Sequence, residues 1–162
     1  MHDNVRIESV VPGDVTTLWR LVRELAEFEH LAHEMVATEV SLHMALFGPA
    51  ANVEAVLIRE GAEPAGFALW FHNFSTFVGR RGLYLEDLYV RPEFRGRGFG
   101  KRLLSYLAAI AVERDCARLE WSVLDWNRRA VDFYQAMGAV AMNEWTVFRL
   151  SGDALRSLAC RV

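Results

Sequence analysis

Residues 84–101 read YLEDLYVRPEFRGRGFGK, a run whose types and spacing are suited to holding an anion. Gly96, Gly98 and Gly100 let a backbone approach an anion without side-chain obstruction. A helix starting directly after them adds unpaired N–H groups and the positive end of its dipole. Arg95, Arg97, Lys101 and Arg102 surround the same turn with cations, which suits a ligand carrying several phosphates. A flexible, solvated connection produces the same three-glycine pattern, so context has to decide. A nucleoside triphosphate loop needs a serine or threonine after its lysine and a longer glycine spacing, whereas Lys101 is followed by Arg102. A dinucleotide fingerprint places its glycines after the first strand of a Rossmann unit, and these come too late in the chain.

Other reactive residue types are scattered. His30, His33, His43 and His72 lie in unlike contexts with no repeated ligand spacing, so no metal site is expected. Cys116 reads as a small apolar residue near a helix end and has no activating base beside it, so no covalent enzyme intermediate is expected. Glu86 and Asp87 are adjacent on a predicted strand and should point to opposite faces. A partner for an arginine or a loop amide is the expectation for Asp87. Tyr134 falls on the apolar side of a predicted helix, where it can simply pack.

The elements that must position these residues follow from periodicity. Val5 to Val11 reads as a strand, and Asp14 precedes Leu18, Leu21, Val22 and Leu25, one apolar helical stripe. A loop, Glu29 to Ala37, leads to a second short helix that starts after Thr38 and ends at Gly48 and Pro49. Val53 to Ile58, Ala65 to Phe71 and Leu83 to Val90 read as strands at the centre of a sheet. Leu103, Leu104, Leu107, Ala108 and Ala111 repeat at helical spacing, and Arg118 to Val123 returns to a strand. Asn127 can cap a helix that Gly138 stops. Two short strands, around Val140 and from Val147 to Leu150, are expected to form a closing hairpin, with Ser151 to Cys160 as a last helix.

Length and composition agree with one α/β domain spanning 1–162: 162 residues at 52% hydrophobic content bury a proper core. A net charge of -3 supplies no overall basic field, so nucleic acid is not expected as a partner. The apolar stretch Tyr106 to Val112 is far short of the ~20 residues that span a bilayer, so no membrane partner is expected either. Two cysteines, Cys116 and Cys160, behind an opening MHDNVRIESV with no apolar leader point to a reducing, cytoplasmic setting.

The spacing R-x-x-G-x-G, given by Arg95, Gly98 and Gly100 behind a strand, resembles the acetyl-CoA motif of GNAT acetyltransferases. The runs RELAEFEHL, LYLEDLYV, RGRGFG and WNRRAVDFYQAMGA are most similar to the diamine acetyltransferases of that superfamily, the spermidine/spermine and thialysine group. The resemblance covers about Arg6 to Ala159 and implies a mixed, largely antiparallel, twisted sheet of about seven strands with helices on both faces. It implies acetyl-CoA as acyl-donor cosubstrate, with pantetheine along Leu88, Tyr89 and Val90, pyrophosphate on the amides of Gly96, Arg97, Gly98, Phe99, Gly100 and Lys101, and Arg95 among the cofactor-binding residues. Asn127, Arg128, Arg129 and Ala130 would complete that site. The implied proton donor to the departing thiolate is Tyr134, and Glu86 is the implied proton acceptor for the amine. Phe28, Glu29, Glu86, Glu120, Trp121, Ser122 and Glu144 would face the acceptor, a polyamine, diamine or lysine-like amine attacked directly in a ternary complex. A homodimer is implied as well. The segment STFVGRRG departs from the acidic loop of the group, and Glu120 replaces a different residue, which leaves the identity of the amine open. A noncatalytic acyl-CoA-binding sensor and an enzyme acting on a protein or peptide amine are the alternatives.

Overall fold

The computed structural model describes residues 4–160. The chain divides into two compact units, Met1–Ser122 and Val123–Val162. In the first unit five strands, β1 (Val5–Ser9), β2 (Glu54–Glu60), β3 (Glu63–Ser75), β4 (Arg80–Val90) and β5 (Leu119–Glu120), stand side by side in chain order. β1 to β4 are antiparallel, and β5 joins β4 in parallel, so the sheet is mixed and largely antiparallel as predicted.

Both faces of this sheet are covered. Ala55, Leu57, Phe67, Leu69 and Tyr89 form one core with Leu18, Leu21 and Leu25 of α1 (Val15–Phe28), and Leu42 and Leu46 of α2 (Glu39–Phe47) pack against it. On the opposite face Val56, Ile58, Ala68, Trp70, Leu83 and Leu85 are buried, and α3 (Phe99–Glu113) covers them with Leu103, Leu107 and Ala111. Burying one leucine contributes about 1.5–3 kcal/mol, so the stripe of α1 dominates its placement even though Asp14 makes no side-chain cap to it. Asp14 instead accepts from the Val11 N–H at 3.1 Å and pairs with Arg59 at 2.8 Å. α2 begins with a reciprocal cap in which Thr38 Oγ1 accepts from the Ser41 N–H and Ser41 Oγ accepts from the Thr38 N–H.

β4 changes faces halfway along. Leu69 pairs with Asp87 and Trp70 with Leu85, so Glu86 is an extra residue with no counterpart, a β-bulge. Leu83 and Leu85 therefore face α3, while Asp87 and Tyr89 share the α1 face with Leu69 and Phe67. Unbroken alternation would have put Leu85 and Asp87 on one face.

Two sequence expectations are corrected. The strand predicted over Arg118 to Val123 is only Leu119–Glu120, and the segments around Val140 and Val147 to Leu150 are not strands. The sheet accordingly has five strands rather than about seven. Alternating apolar residues favour extended chain, but a ladder needs a neighbouring strand, and this segment instead turns back, with the Trp145 N–H donating to the Met142 carbonyl. The second unit consists of α4 (Arg128–Ala136), this irregular segment and α5 (Gly152–Ala159). Among the described residues no helix is long and apolar enough to cross a membrane.

Candidate active site

The glycine-rich turn leaves β4 through a short 3₁₀ turn, Pro92–Phe94, and enters α3 at Phe99. Gly96 has φ +74° and Gly98 φ +81°, both in the left-handed region that other residues adopt at a cost. A Cβ added at either would meet nothing within 4 Å, so the backbone angle, not lack of room, is what calls for glycine here. The first bond of α3 runs from the Arg102 N–H to the Gly98 carbonyl at 3.0 Å, which leaves the amides before it at the helix N-terminus for an anion.

The cations around the turn are not equivalent. Arg97 is paired with Glu60, and its guanidinium lies over the rings of Phe94 and Phe99. Arg95 Nε donates to the Val90 carbonyl at 2.8 Å, with its guanidinium 4.5 Å from the Phe28 ring centre and 5.6 Å from that of Tyr89. Lys101 is exposed at the start of α3. The turn thus offers backbone amides first, with two of its arginines engaged by the protein itself.

Beside the turn, the pairing of β4 with β5 stops at Tyr84 and Glu120. Among the described residues no strand follows along that side of Leu85 to Val90, the stretch holding Leu88, Tyr89 and Val90. An open edge of this kind accepts an extended chain carrying amide groups. The free edge and the anion turn at its end fit the pantetheine arm and the diphosphate of a coenzyme A thioester.

On the α1 face, carboxylates converge. Phe28 is the last residue of α1 and Glu29 follows it. Burial raises the Glu29 carboxyl above its ordinary range. Burial, then Glu86, then Glu29 push Asp87 from 3.8 up to about 7. Glu86 itself is exposed at the bulge. Asp87 was expected to serve an arginine or a loop amide, but its neighbours are other carboxylates. The sequence signal for it was present, two consecutive acidic residues inside an apolar strand; the bulge that sets their orientation was not.

The remaining predicted residues belong to β5, to the segment after it and to the second unit. Glu120 ends β5 and pairs with Arg118 at 3.5 Å, while Trp121 and Ser122 fall beyond the strand, with Ser122 Oγ 3.0 Å from Tyr84 Oη. Tyr84 was not singled out by sequence. In the second unit Asn127 Oδ1 accepts from the Ala130 N–H at 3.2 Å and caps α4, and Arg128 and Arg129 are exposed. Tyr134 is half-buried on α4, its ring centre 5.3 Å from that of Phe133. Glu144 is exposed in a turn. Among the described residues no group of three or more His, Cys, Asp or Glu could hold a metal ion.

A layered α/β sheet in which β4 has an open edge and runs into a glycine turn and a helix N-terminus is an arrangement that can receive an extended, phosphate-bearing ligand. The chain belongs to the acetyltransferase (GNAT) family, which matches residues 17–139, and it is an N-acetyltransferase of that family, whose acyl donor is acetyl-CoA. It is 38% identical to a thialysine N-epsilon-acetyltransferase of Bos taurus, over 96% of this chain and 97% of the relative. It is 33% identical to an L-ornithine N5-acetyltransferase of Arabidopsis thaliana, over 94% of this chain and 87% of the relative. Among solved structures, an integron cassette protein of V. cholerae superposes with a TM-score of 0.81 at 28% identity, covering 96% of this chain and 98% of that one.

Proposed function

We propose that the chain transfers acetyl from acetyl-CoA to the terminal amine of a small cationic acceptor, a polyamine, a diamine or a lysine-like amine, by direct attack in a ternary complex. The convergence of Glu29, Glu86 and Asp87 at the end of α1 and the bulge of β4 carries this reading. Three carboxylates with no cation among the causes that shift Asp87 form a site that attracts a cation. The names of the relatives, thialysine and ornithine acetyltransferases, point to the same acceptor class.

Acetyl-CoA supplies a carbonyl open to nucleophilic attack and a thiolate as leaving group. An alkylamine has a pKa of roughly 10 and must shed a proton before it attacks. Asp87, with a carboxyl near 7, is matched to take that proton at neutral pH, and Glu86, exposed beside it, is the group through which the proton reaches solvent. Tyr134 is the proposed donor to the departing sulfur; a phenol near 10 can protonate a thiolate near 8.5 when it is positioned against it. The turn from Arg95 to Lys101 and the edge at Leu88 to Val90 would hold the donor, and Asn127 to Ala130 are proposed as further donor-binding residues by family resemblance alone. A homodimer is the proposed working form. Apolar residues of the second unit left in the open, Val140, Met142, Trp145, Val147 and Phe148, support it.

An amine panel assayed with acetyl-CoA by thiol release tests the reading. Turnover of one small diamine, polyamine or lysine analogue is expected. Acetyl-CoA binding without turnover of any amine or peptide would favour a sensor, and turnover of peptides alone would favour a protein acetyltransferase.

A further inference from the structure

Glu24 lies on α1, one helical turn before Phe28. Its carboxylate accepts from Tyr89 Oη at 3.3 Å and stands 3.3 Å from Arg91 Nε. Arg91 Nε is buried and makes no hydrogen bond of good geometry, so Glu24 faces it only as an ion pair, while the Nη2 side of the same guanidinium pairs with Glu93 at 3.3 Å. Tyr89 is itself buried, and its ring lies against the Arg95 guanidinium on one side while Phe28 approaches the same group more closely. The Arg95 Nε bond to the Val90 carbonyl then closes the base of the glycine turn. The end of β4, the aromatic rings around Arg95 and the outer half of α1 are one continuous set of contacts. A guanidinium held on ring faces is directed by those rings, and here the rings are held by α1.

We infer that Glu24 is a positioning residue for acetyl-CoA: through Tyr89 Oη and Arg91 it fixes the Phe28–Tyr89 bracket around Arg95, and through Arg95 it fixes the glycine turn. Donor affinity is thereby set in part from α1, by a residue that touches neither substrate. The inference rests on the reading of the turn as the acetyl-CoA site.

The test is calorimetry of acetyl-CoA and steady-state kinetics on the full chain, with Glu24→Ala, Glu24→Gln, Tyr89→Phe, Arg95→Ala and the Glu24→Ala/Arg95→Ala double variant. Glu24→Ala is expected to raise the acetyl-CoA Kd and KM by roughly three- to ten-fold, with kcat at saturating donor within about two-fold of the parent, and Tyr89→Phe should raise the Kd over the same range. Glu24→Gln keeps an acceptor for Tyr89 Oη and should retain part of the affinity. In the Arg95→Ala background, Glu24→Ala should cost nothing further. Arg23→Ala, the adjacent position on α1 with its own partner Glu27, is the control and should leave Kd unchanged. An additive loss in the double variant, an equal loss from Arg23→Ala, or an unchanged Kd in Glu24→Ala would each overturn the inference. Should Glu24→Ala fail to fold, Tyr89→Phe, which keeps the ring, carries the same cycle against Arg95→Ala. A parent that does not bind acetyl-CoA would sink the reading of the turn and this role with it. A parent that binds normally beside unaffected variants would sink the positioning role alone.

Discussion

A carboxyl group held near pH 7 by its surroundings leaves a trace in stability as well as in rate. Burial and two neighbouring carboxylates raise Asp87 to about 7, so between about pH 4 and pH 7 the folded chain binds a proton there that the unfolded chain has released. The stability lent by that proton is whole below the unfolded value and is lost as the pH rises through about 7. Asp87→Asn, neutral throughout, should melt close to the parent near pH 4 and above it at pH 8; equal differences at both pH values in calorimetric scans would contradict the raised value. In the proposed mechanism the ionised form takes the proton, so the parent rate should climb through pH 7, and Asp87→Asn should lose about 10²-fold at pH 8. An unchanged pH–rate profile in Asp87→Asn would move proton removal to Glu86. Tyr134→Phe removes only a hydroxyl: turnover should drop by about 10²-fold with cofactor affinity kept, and by less with a donor whose thiol leaves more readily. The same ratio of rates for two such donors in parent and variant would leave Tyr134 as packing.

At the scale of elements, one substitution has two meanings. In Gly66→Ala the new Cβ would stand 2.2 Å from the Tyr89 carbonyl oxygen, a backbone atom that cannot swing aside. That overpacking should cost roughly 1–3 kcal/mol, read as a lower denaturation midpoint in urea. In Gly98→Ala nothing obstructs the methyl, and the cost lies in the backbone angle of the turn. Acetyl-CoA affinity should fall while most of the stability remains; the reverse pattern, lost stability with intact affinity, would take the turn out of the site. The difference between these two glycines also marks what the sequence could convey. Three glycines among arginines, before a helical stripe, mark a turn into a helix because local backbone chemistry specifies that much, while its reading as an anion site depended on context. The stripes of α1 and α3 were legible for the same reason, since Leu18, Leu21 and Leu25 or Leu103 and Leu107 recur at the helical period. The bulge was not: Leu85, Asp87 and Tyr89 read as one uninterrupted alternation, and only the partner strand reveals that Glu86 is unmatched. The engagement of Arg97 by Glu60, 37 residues away, lay equally outside what local sequence can tell.

Across the whole chain, apolar surface is unevenly settled. The first unit carries the two cores described above, whereas among the described residues of the second unit none is fully buried, and Trp145 and Phe148 remain 71% and 92% exposed. Large exposed aromatics in a segment with strand-like alternation call for a covering partner, and a second copy is the proposed one. Light scattering should give twice the 18.4 kDa mass of the chain, and Trp145→Ser together with Phe148→Ser should shift it toward the monomer. A monomer with full activity would rule out a shared site. The open side of β4 has a consequence for how the protein behaves before it meets any ligand. A row of unsatisfied strand amides is a template on which another chain can crystallise as a sheet, and most proteins blunt such rows with charge, proline or a bulge. Here the bulge at Glu86 interrupts the row at its start, and Pro92 stands just past its end. On the proposed docking of the donor along the stretch between them, the bound substrate would also guard that edge against aggregation, and the empty enzyme would be the form more exposed to it.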